Sequence, residues 1–270
     1  MRIERTNVWG SDLVKESMRK FFFAFAILAL AAAGSISAAQ RWYDDTETVT
    51  RTVKLEPGGK LILKSFSGRV TITATDAAEV VVNAVRRAPR ERLDRITLDV
   101  HPEGSNSVYI DANHRDHSWY SWGNNVVDTD LEVKVPRRTS LDVNVFSAPV
   151  TVDAVEGTHK LSGFSSRLTL NDVSGPVRAH SFSGAIIIRA KTWEANQQID
   201  VDTFSGSIEL HVPDSARGTV SFSTFSGHLN SEMPLTLHST SRKNLRAELG
   251  GGGDGVLRFK TFSGSVRIDR

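Results

Sequence analysis

The 270-residue chain contains no cysteine, so no disulfide staples its fold and no N-terminal cysteine can carry a lipid anchor. Long hydrophobic runs are missing too. The apolar stretch from Phe21 to Ala33 has thirteen residues, against the roughly 20 needed to cross a bilayer core of about 30 Å. An excess of one charge is also lacking: 33 Lys and Arg stand against 31 Asp and Glu. A chain so balanced has no overall field to hold a polyanion, which argues against nucleic-acid binding. The common catalytic phrases are absent as well: there is no GxSxG elbow, no HExxH and no cysteine nucleophile. Stability must therefore come from apolar burial and strand pairing.

The amino end has the three-part layout of a secretory signal peptide. Arg19 and Lys20 are basic, Phe21 to Ala33 is apolar, and Gly34, Ser35, Ser37, Ala38 and Ala39 are small. Cleavage is expected after Ala39, leaving a mature chain with no transmembrane anchor; Met18 is an alternative start that yields the same mature chain. Residues 1–39 carry five basic and three acidic side chains, so the remainder holds 28 of each sign. The expected location is the periplasm, the cell surface or the extracellular medium.

One phrase recurs along the rest of the chain. It reads SFSG at Ser65–Gly68 and Ser181–Gly184, and TFSG at Thr203–Gly206, Thr224–Gly227 and Thr261–Gly264. VFSA at Val145–Ala148 and GFSS at Gly163–Ser166 are degenerate copies. Phe146, Phe164, Phe182, Phe204 and Phe225 are 18, 18, 22 and 21 residues apart, and Phe262 follows after 37. A period near 20 with two-residue alternation inside each copy marks a β-solenoid. The expected fold is all-β: a single-stack, β-helix-like solenoid of short repeats over residues 141–270, with an irregular all-β N-terminal cap over 40–140. A short helix is expected at Pro89–Arg95, and Pro234 to Gly255 breaks the period as an inserted turn or hairpin.

Alternation places Phe182, Gly184, Ile186 and Ile188 on one face, with Val177 and Ala179 on the opposite parity. The one-residue slip between them predicts a corner at the repeated phrase, where glycine is tolerated. On this parity the phenylalanines form a buried ladder, Phe over Phe and Gly over Gly, and the serines of the phrase are outward turn hydroxyls. Two corners lack the glycine, at Ala148 and Ser166.

An exported chain with tandem short strands, an SGxIxL-like phrase per turn and a Gly-rich interruption before the last copy resembles the bacterial putative-adhesin β-strand-repeat family, an exported domain of unknown function. The resemblance covers roughly residues 45–270. It implies an all-β solenoid at the cell envelope and an adhesive role, and brings no catalytic residues.

The candidate ligand-binding loop is His114, His117, Trp119, Tyr120 and Trp122, with Asp111 and Asp116 beside it. Exposed indole and phenol rings next to hydrogen-bonding groups suit a glycan or protein partner. The same imidazoles and carboxylates raise the question of a metal, but the spacing reads as a polar or recognition loop, and no metal and no cofactor is expected. Arg86, Arg87, Arg90, Arg92 and Arg95, broken by Glu91 and Asp94, read as a solvated face. Gly250–Gly255 reads as a flexible turn. Asp200 and Asp202 point outward as a carboxylate pair, with Arg178 and His180 expected on one neighbouring coil and Ser221 and Ser223 on the other. That surrounding suggests charge neutralisation.

The sequence thus points to an exported, non-enzymatic envelope or surface protein, an adhesin-like binding or structural solenoid with no catalytic residues. Its alternatives are a polysaccharide-acting β-helix enzyme, and an envelope-stress regulatory scaffold that binds another protein.

Overall fold

The computed structural model describes residues 45–115, 126–241 and 243–270. The expected signal peptide, residues 1–39, lies outside the described residues. In chain order the elements are β1 (Asp45–Lys54), β2 (Gly59–Ser67), β3 (Val70–Thr75), β4 (Glu79–Ala88), α1 (Arg90–Arg95), β5 (Ile96–Pro102), β6 (Ser107–Arg115), β7 (Asp128–Pro136), β8 (Thr139–Ser147), β9 (Val150–Asp153) and β10 (His159–Gly163). They continue as β11 (Leu168–Val173), β12 (Val177–Ser183), β13 (Ile186–Ala190), β14 (Gln198–Ser205), β15 (Ile208–His211), β16 (Gly218–Thr224), β17 (Leu229–Ser231), β18 (Leu235–Thr240), β19 (Asn244–Leu249), β20 (Val256–Thr261) and β21 (Val266–Asp269). Among the described residues the protein is all-β apart from the one-and-a-half-turn helix α1, where a helix was expected, and the period break near the carboxyl end is the β18–β19 hairpin.

Two large sheets hold these strands. Sheet I runs β1-β4-β7-β3-β9-β11-β13-β15-β21-β17, and sheet II runs β18-β19-β16-β20-β14-β12-β10-β8-β2-β6-β5. Each repeat contributes one strand to each sheet and turns the corner between them at its Phe-Ser step. The copies pair in parallel and in register, for example Leu161 with Ala179 and Leu168 with Ile186. Pairing is continuous across residue 140, because β8 pairs with β2 on one side and β10 on the other.

The coils do not follow chain order throughout. Going along sheet II, the repeated strands are β2, β8, β10, β12, β14, β20 and β16, so the last coil of the chain is inserted between the two that precede it. The outer end beside β2 is occupied by β6, again out of chain order. Antiparallel strands close the ends: β1 and β4 on sheet I, β5 beside β6, and β18 and β19 beside β16. Hairpins and a three-residue edge strand, β17, leave little regular edge for another chain to extend.

Alternation along each strand builds the interior. Leu141, Val143, Ala179, Val201, Leu210, Leu257 and Ile268 are all buried and belong to one continuous apolar cluster. Ala88, Leu93, Ile96 and Val127 form a small separate cluster that takes in α1. Arg86 takes an inward position of β4, between Ala84 and Ala88, and is only 3% exposed. Its guanidinium bonds Glu47 and the Ile96 carbonyl. The reading of the whole arginine run as a solvated face is therefore corrected at Arg86, which the strand register places inside; Arg87 pairs with Asp130 at 2.7 Å.

The corner also corrects the placement of the repeated aromatic. Inward positions run Val177, Ala179, Ser181 and then resume at Ile186 and Ile188. The change of phase comes after Phe182, not before it, so Phe182 belongs to the outer face of β12. All seven phenylalanines of the phrase are exposed, from 36% at Phe66 to 58% at Phe225. The first hydroxyl residue of the phrase faces inward instead, as Ser65, Ser181, Thr203, Thr224 and Thr261 are buried. The second serine remains on the outer side. Continuing the Ile188 parity backward through the corner reverses both assignments.

Glycine at the corner answers to a close approach. A Cβ at Gly206 would lie 2.1 Å from the Gly184 carbonyl oxygen, and one at Gly264 would lie 2.0 Å from that of Gly206. At the two copies without glycine, Ser166 is buried and its hydroxyl lies 3.2 Å from the Ala148 amide and 3.3 Å from the Phe146 carbonyl. The side chain there bonds the adjacent coil where the others bring backbone close. Gly206→Ala is expected to lower unfolding stability by about 1–3 kcal/mol through this clash, measured by urea denaturation; an unchanged midpoint would show that the coils can separate at no cost.

His159 occupies an inward position of β10, paired with Leu141 and Val177. Its Nε2 donates to the Ser174 carbonyl at 3.2 Å, while Nδ1 has no partner. Burial pushes the imidazole from 6.5 down to about 4, against the opposing pull of the Ser174 and Val155 carbonyls. The unfolded chain takes up this proton near pH 6.5 and the folded one resists to about pH 4. Stability is thus complete above pH 6.5 and falls as pH drops through that window, by about 3 kcal/mol. Denaturation profiles at pH 7 and pH 4.5 should show this loss, and His159→Gln should reduce the slope.

Candidate functional site

Strand spacing sets the geometry of the exposed surface on sheet II. At each corner the backbone is tied to the next coil, as where the Ser165 amide donates to the Phe146 carbonyl at 2.8 Å and the Ser183 amide to the Phe164 carbonyl at 2.8 Å. The side chains that follow must therefore repeat at the same interval. Phe66, Phe146, Phe164, Phe182, Phe204, Phe262 and Phe225 form one continuous stack with centroid spacings of 4.6–4.9 Å. Interplanar angles from Phe146 to Phe204 are 1°. The six steps make a ribbon about 29 Å long.

Stacking occupies the ring faces and leaves the edges outward. Each contact contributes about 0.5–1.5 kcal/mol beyond area burial. At one end the Lys243 ammonium covers the Phe225 ring at 4.5 Å from its centroid. The ribbon is therefore an apolar comb of ring edges, with few free aromatic faces.

A polar row runs beside it on the same outer face, two residues before each phenylalanine: Lys64, Asn144, Ser162, His180, Asp202, Lys260 and Ser223. Ribbon and row line two shallow grooves of about 790 and 540 Å³ that share His180. Lys64 also sits 5.2 Å over the Tyr109 ring, and its amine is held above the usual lysine range by the Tyr109 hydroxyl and, more weakly, by the charges of Asp111 and Glu103.

A third row, four residues before each phenylalanine, is Ile62, Asp142, Lys160, Arg178, Asp200, Arg258 and Ser221. Charges along it alternate in the main. Asp142 meets Lys60 at 3.3 Å and Lys160 at 3.6 Å, and Arg178 meets Asp200 at 4.0 Å. The inserted last coil corrects the expected surroundings of the carboxylate pair. Asp200 is stacked between Arg178 and Arg258, and Asp202 between His180 and Lys260, whereas Ser221 and Ser223 lie one coil further on.

Of the candidate loop, His114 lies next to the last residue of β6 and lines the larger groove together with Asp111 and Asn113. His117, Trp119, Tyr120 and Trp122 lie outside the described residues. Asp99 on β5 reaches His101 at 3.0 Å and His114 at 3.8 Å, so the antiparallel β5–β6 pair places two imidazoles on one carboxylate. Among the described residues no group of three or more His, Asp or Glu side chains is placed to hold a metal ion. Sequence reasoning found the phenylalanines but not their exposure; the residue just before each one, in line with the apolar parity of Val177 and Ala179 and itself apolar at Val145, was the signal available.

Residues 158–269 match the Toastrack DUF4097 family, a domain of unknown function, and the resemblance to the bacterial putative-adhesin family is borne out. No curated protein matches the chain. Among solved structures, a putative cell adhesion protein from Clostridium sporogenes is similar at 10% identity over 83% of this chain and 99% of that one, with a TM-score of 0.46. A putative adhesin from Bacteroides fragilis is similar at 11% identity over 82% and 97%, with a TM-score of 0.32. A putative lipid binding protein from Parabacteroides distasonis is similar at 12% identity over 85% and 98%, with a TM-score of 0.35.

The exposed ribbon and the core should separate in mutational cost. Phe182→Ala, which removes stacking on two sides, is expected to cost about 1–2 kcal/mol, and Phe259→Ala in the interior about 3–5 kcal/mol. Chemical denaturation of both variants checks this, and equal costs would place Phe182 in the core.

Proposed function

We propose that the protein is an exported, non-enzymatic, adhesin-like binding protein of the cell envelope or surface, in which the parallel coils form one solenoid stack that serves as a rigid ruler for a contact surface. The observation that carries this reading is the ribbon of seven phenylalanines with their edges in solvent. A contiguous apolar strip on an otherwise polar face is the mark of an interaction site. Its closed ring faces disfavour sugars, which would need those faces for stacking, and favour a protein surface that packs against ring edges. The flanking polar rows supply hydrogen bonds and charges at a fixed interval, which suits register and specificity. Asp200 is boxed between Arg178 and Arg258, and Asp202 lies between His180 and Lys260, an arrangement that serves cross-strand neutralisation more simply than hydrolysis. His114, a member of the candidate loop, lines the larger groove, and the aromatic side chains of that loop are proposed to take part in the same binding.

The test is a binding assay on intact cells and envelope fractions with the protein and with a Phe164→Ser, Phe182→Ser, Phe204→Ser variant. At least a tenfold loss of binding is expected, with circular dichroism unchanged and cooperative melting retained. The single Phe182→Ser variant, expected to lose about threefold, serves if the triple variant melts early. Undiminished binding would remove the ribbon from the function. Polysaccharide turnover that disappears in Asp202→Asn would overturn the non-enzymatic reading.

A further inference from the structure

We infer that the partner of the phenylalanine ribbon is a second copy of the same chain, packed face to face across sheet II about a twofold axis that runs parallel to the strands through β12. This inference rests on the ribbon being a binding surface and adds the identity of its occupant. An apolar comb with teeth every 4.6–4.9 Å over seven coils is matched best by another comb of the same pitch. A twofold axis along the strands keeps each row opposite itself and reverses the order of the coils. Phe182 then lies on the axis, and the other phenylalanines pair end for end.

The charges favour this register over its one-coil neighbours. In the third row Asp142, on the second of the seven repeated strands, comes opposite Arg258 on the sixth, and Lys160 on the third comes opposite Asp200 on the fifth. Symmetry doubles both contacts, giving four ion pairs. In the row beside the ribbon, Ser162 faces Asp202, Asn144 faces Lys260 and Lys64 faces Ser223, so no like charges meet. Only Arg178 and His180 face their own counterparts, and Arg178 is neutralised within its chain by Asp200. Sliding the copies by one coil one way places Lys160 opposite Arg258. Sliding them the other way places Asp142 opposite Asp200 and Lys160 opposite Arg178. Of these three registers the centred one is free of off-axis repulsion, which is how rim charges favour one alignment over its neighbours.

The size is sufficient. Seven coils at about 4.8 Å by about 20 Å of strand cover about 700 Å² of each copy, or about 1,400 Å² together, within the range of stable interfaces.

The absence of cysteine makes the test clean. Protein purified after expression of the full-length chain is expected to sediment as a dimer at micromolar concentration. His180→Cys, on the axis, should be joined to its own twin by a bis-maleimide whose reach matches the roughly 10 Å between packed sheets. Asn144→Cys should not join to its twin, which lies four coils away at about 19 Å, but should join to Lys260→Cys when the two variants are mixed. Lys160→Asp should weaken the dimer at least tenfold, and Lys160→Asp with Asp200→Lys should recover it. Monomeric sedimentation at 100 µM by order of magnitude, or Asn144→Cys joining to itself as readily as His180→Cys, would overturn the inference. Phenylalanine-dependent cell binding by a monomer would leave the binding surface standing and show its occupant to be a different protein.

Discussion

Every part of this structure depends on parallel coils meeting in register at their corners. Where the chain passes from sheet II to sheet I, the amide of one coil donates to the carbonyl of the next, as Phe262 does to Thr203 at 3.2 Å and Ser263 to Phe204 at 2.9 Å. These bonds hold equivalent residues one strand spacing apart. Backbone so close leaves no room for a Cβ at Gly206 or Gly264, and the same spacing brings the phenylalanine rings into contact face to face. Glycine and phenylalanine recur for the same reason: one permits the approach, and the other profits from it.

The order of the coils adds a second constraint. Because β20 and β21 enter between coils formed earlier in the chain, β14 and β16 never touch as sheet neighbours, and their charged rows are joined through Arg258 and Lys260. The insertion turns what would have been an acidic step beside hydroxyls into an alternating row of acid and base. Antiparallel strands close both ends of the parallel run in sheet II and one end of it in sheet I. A regular stack would otherwise offer open edges, so the irregular ends are part of what keeps the pairing finite.

The two faces of the aromatic ladder have separate consequences. Ring-on-ring contact contributes to stability along the stack, while the edges leave a narrow apolar strip in water. A purely structural ladder could have been turned inward, where Ser65, Ser181 and Thr203 now sit. Placing small hydroxyls inside and large rings outside makes sense for a surface built to be covered. The alternating charges beside it then favour one register over its neighbours. The parallel coils supply a scaffold on which such a surface repeats at the interval of the backbone itself.

The sequence alone determined the all-β class, the repeat, the corner at Phe-Ser, the helix after Ala88 and the hairpin that interrupts the last copies. All of these are local, being written in alternation, in glycine and in proline. It did not determine which side of the corner changes phase, and so it read the phenylalanines as buried; a one-residue shift inverts every side chain downstream, and both choices satisfy the alternation within a single strand. Nor could it show that Asp202 stacks on Lys260, because adjacency of coils depends on which slot the final strands fill, and that is set by pairing across 58 residues of chain. Only the folded stack, in which each strand sees its neighbours, decided the exposed ribbon and the charges beside it.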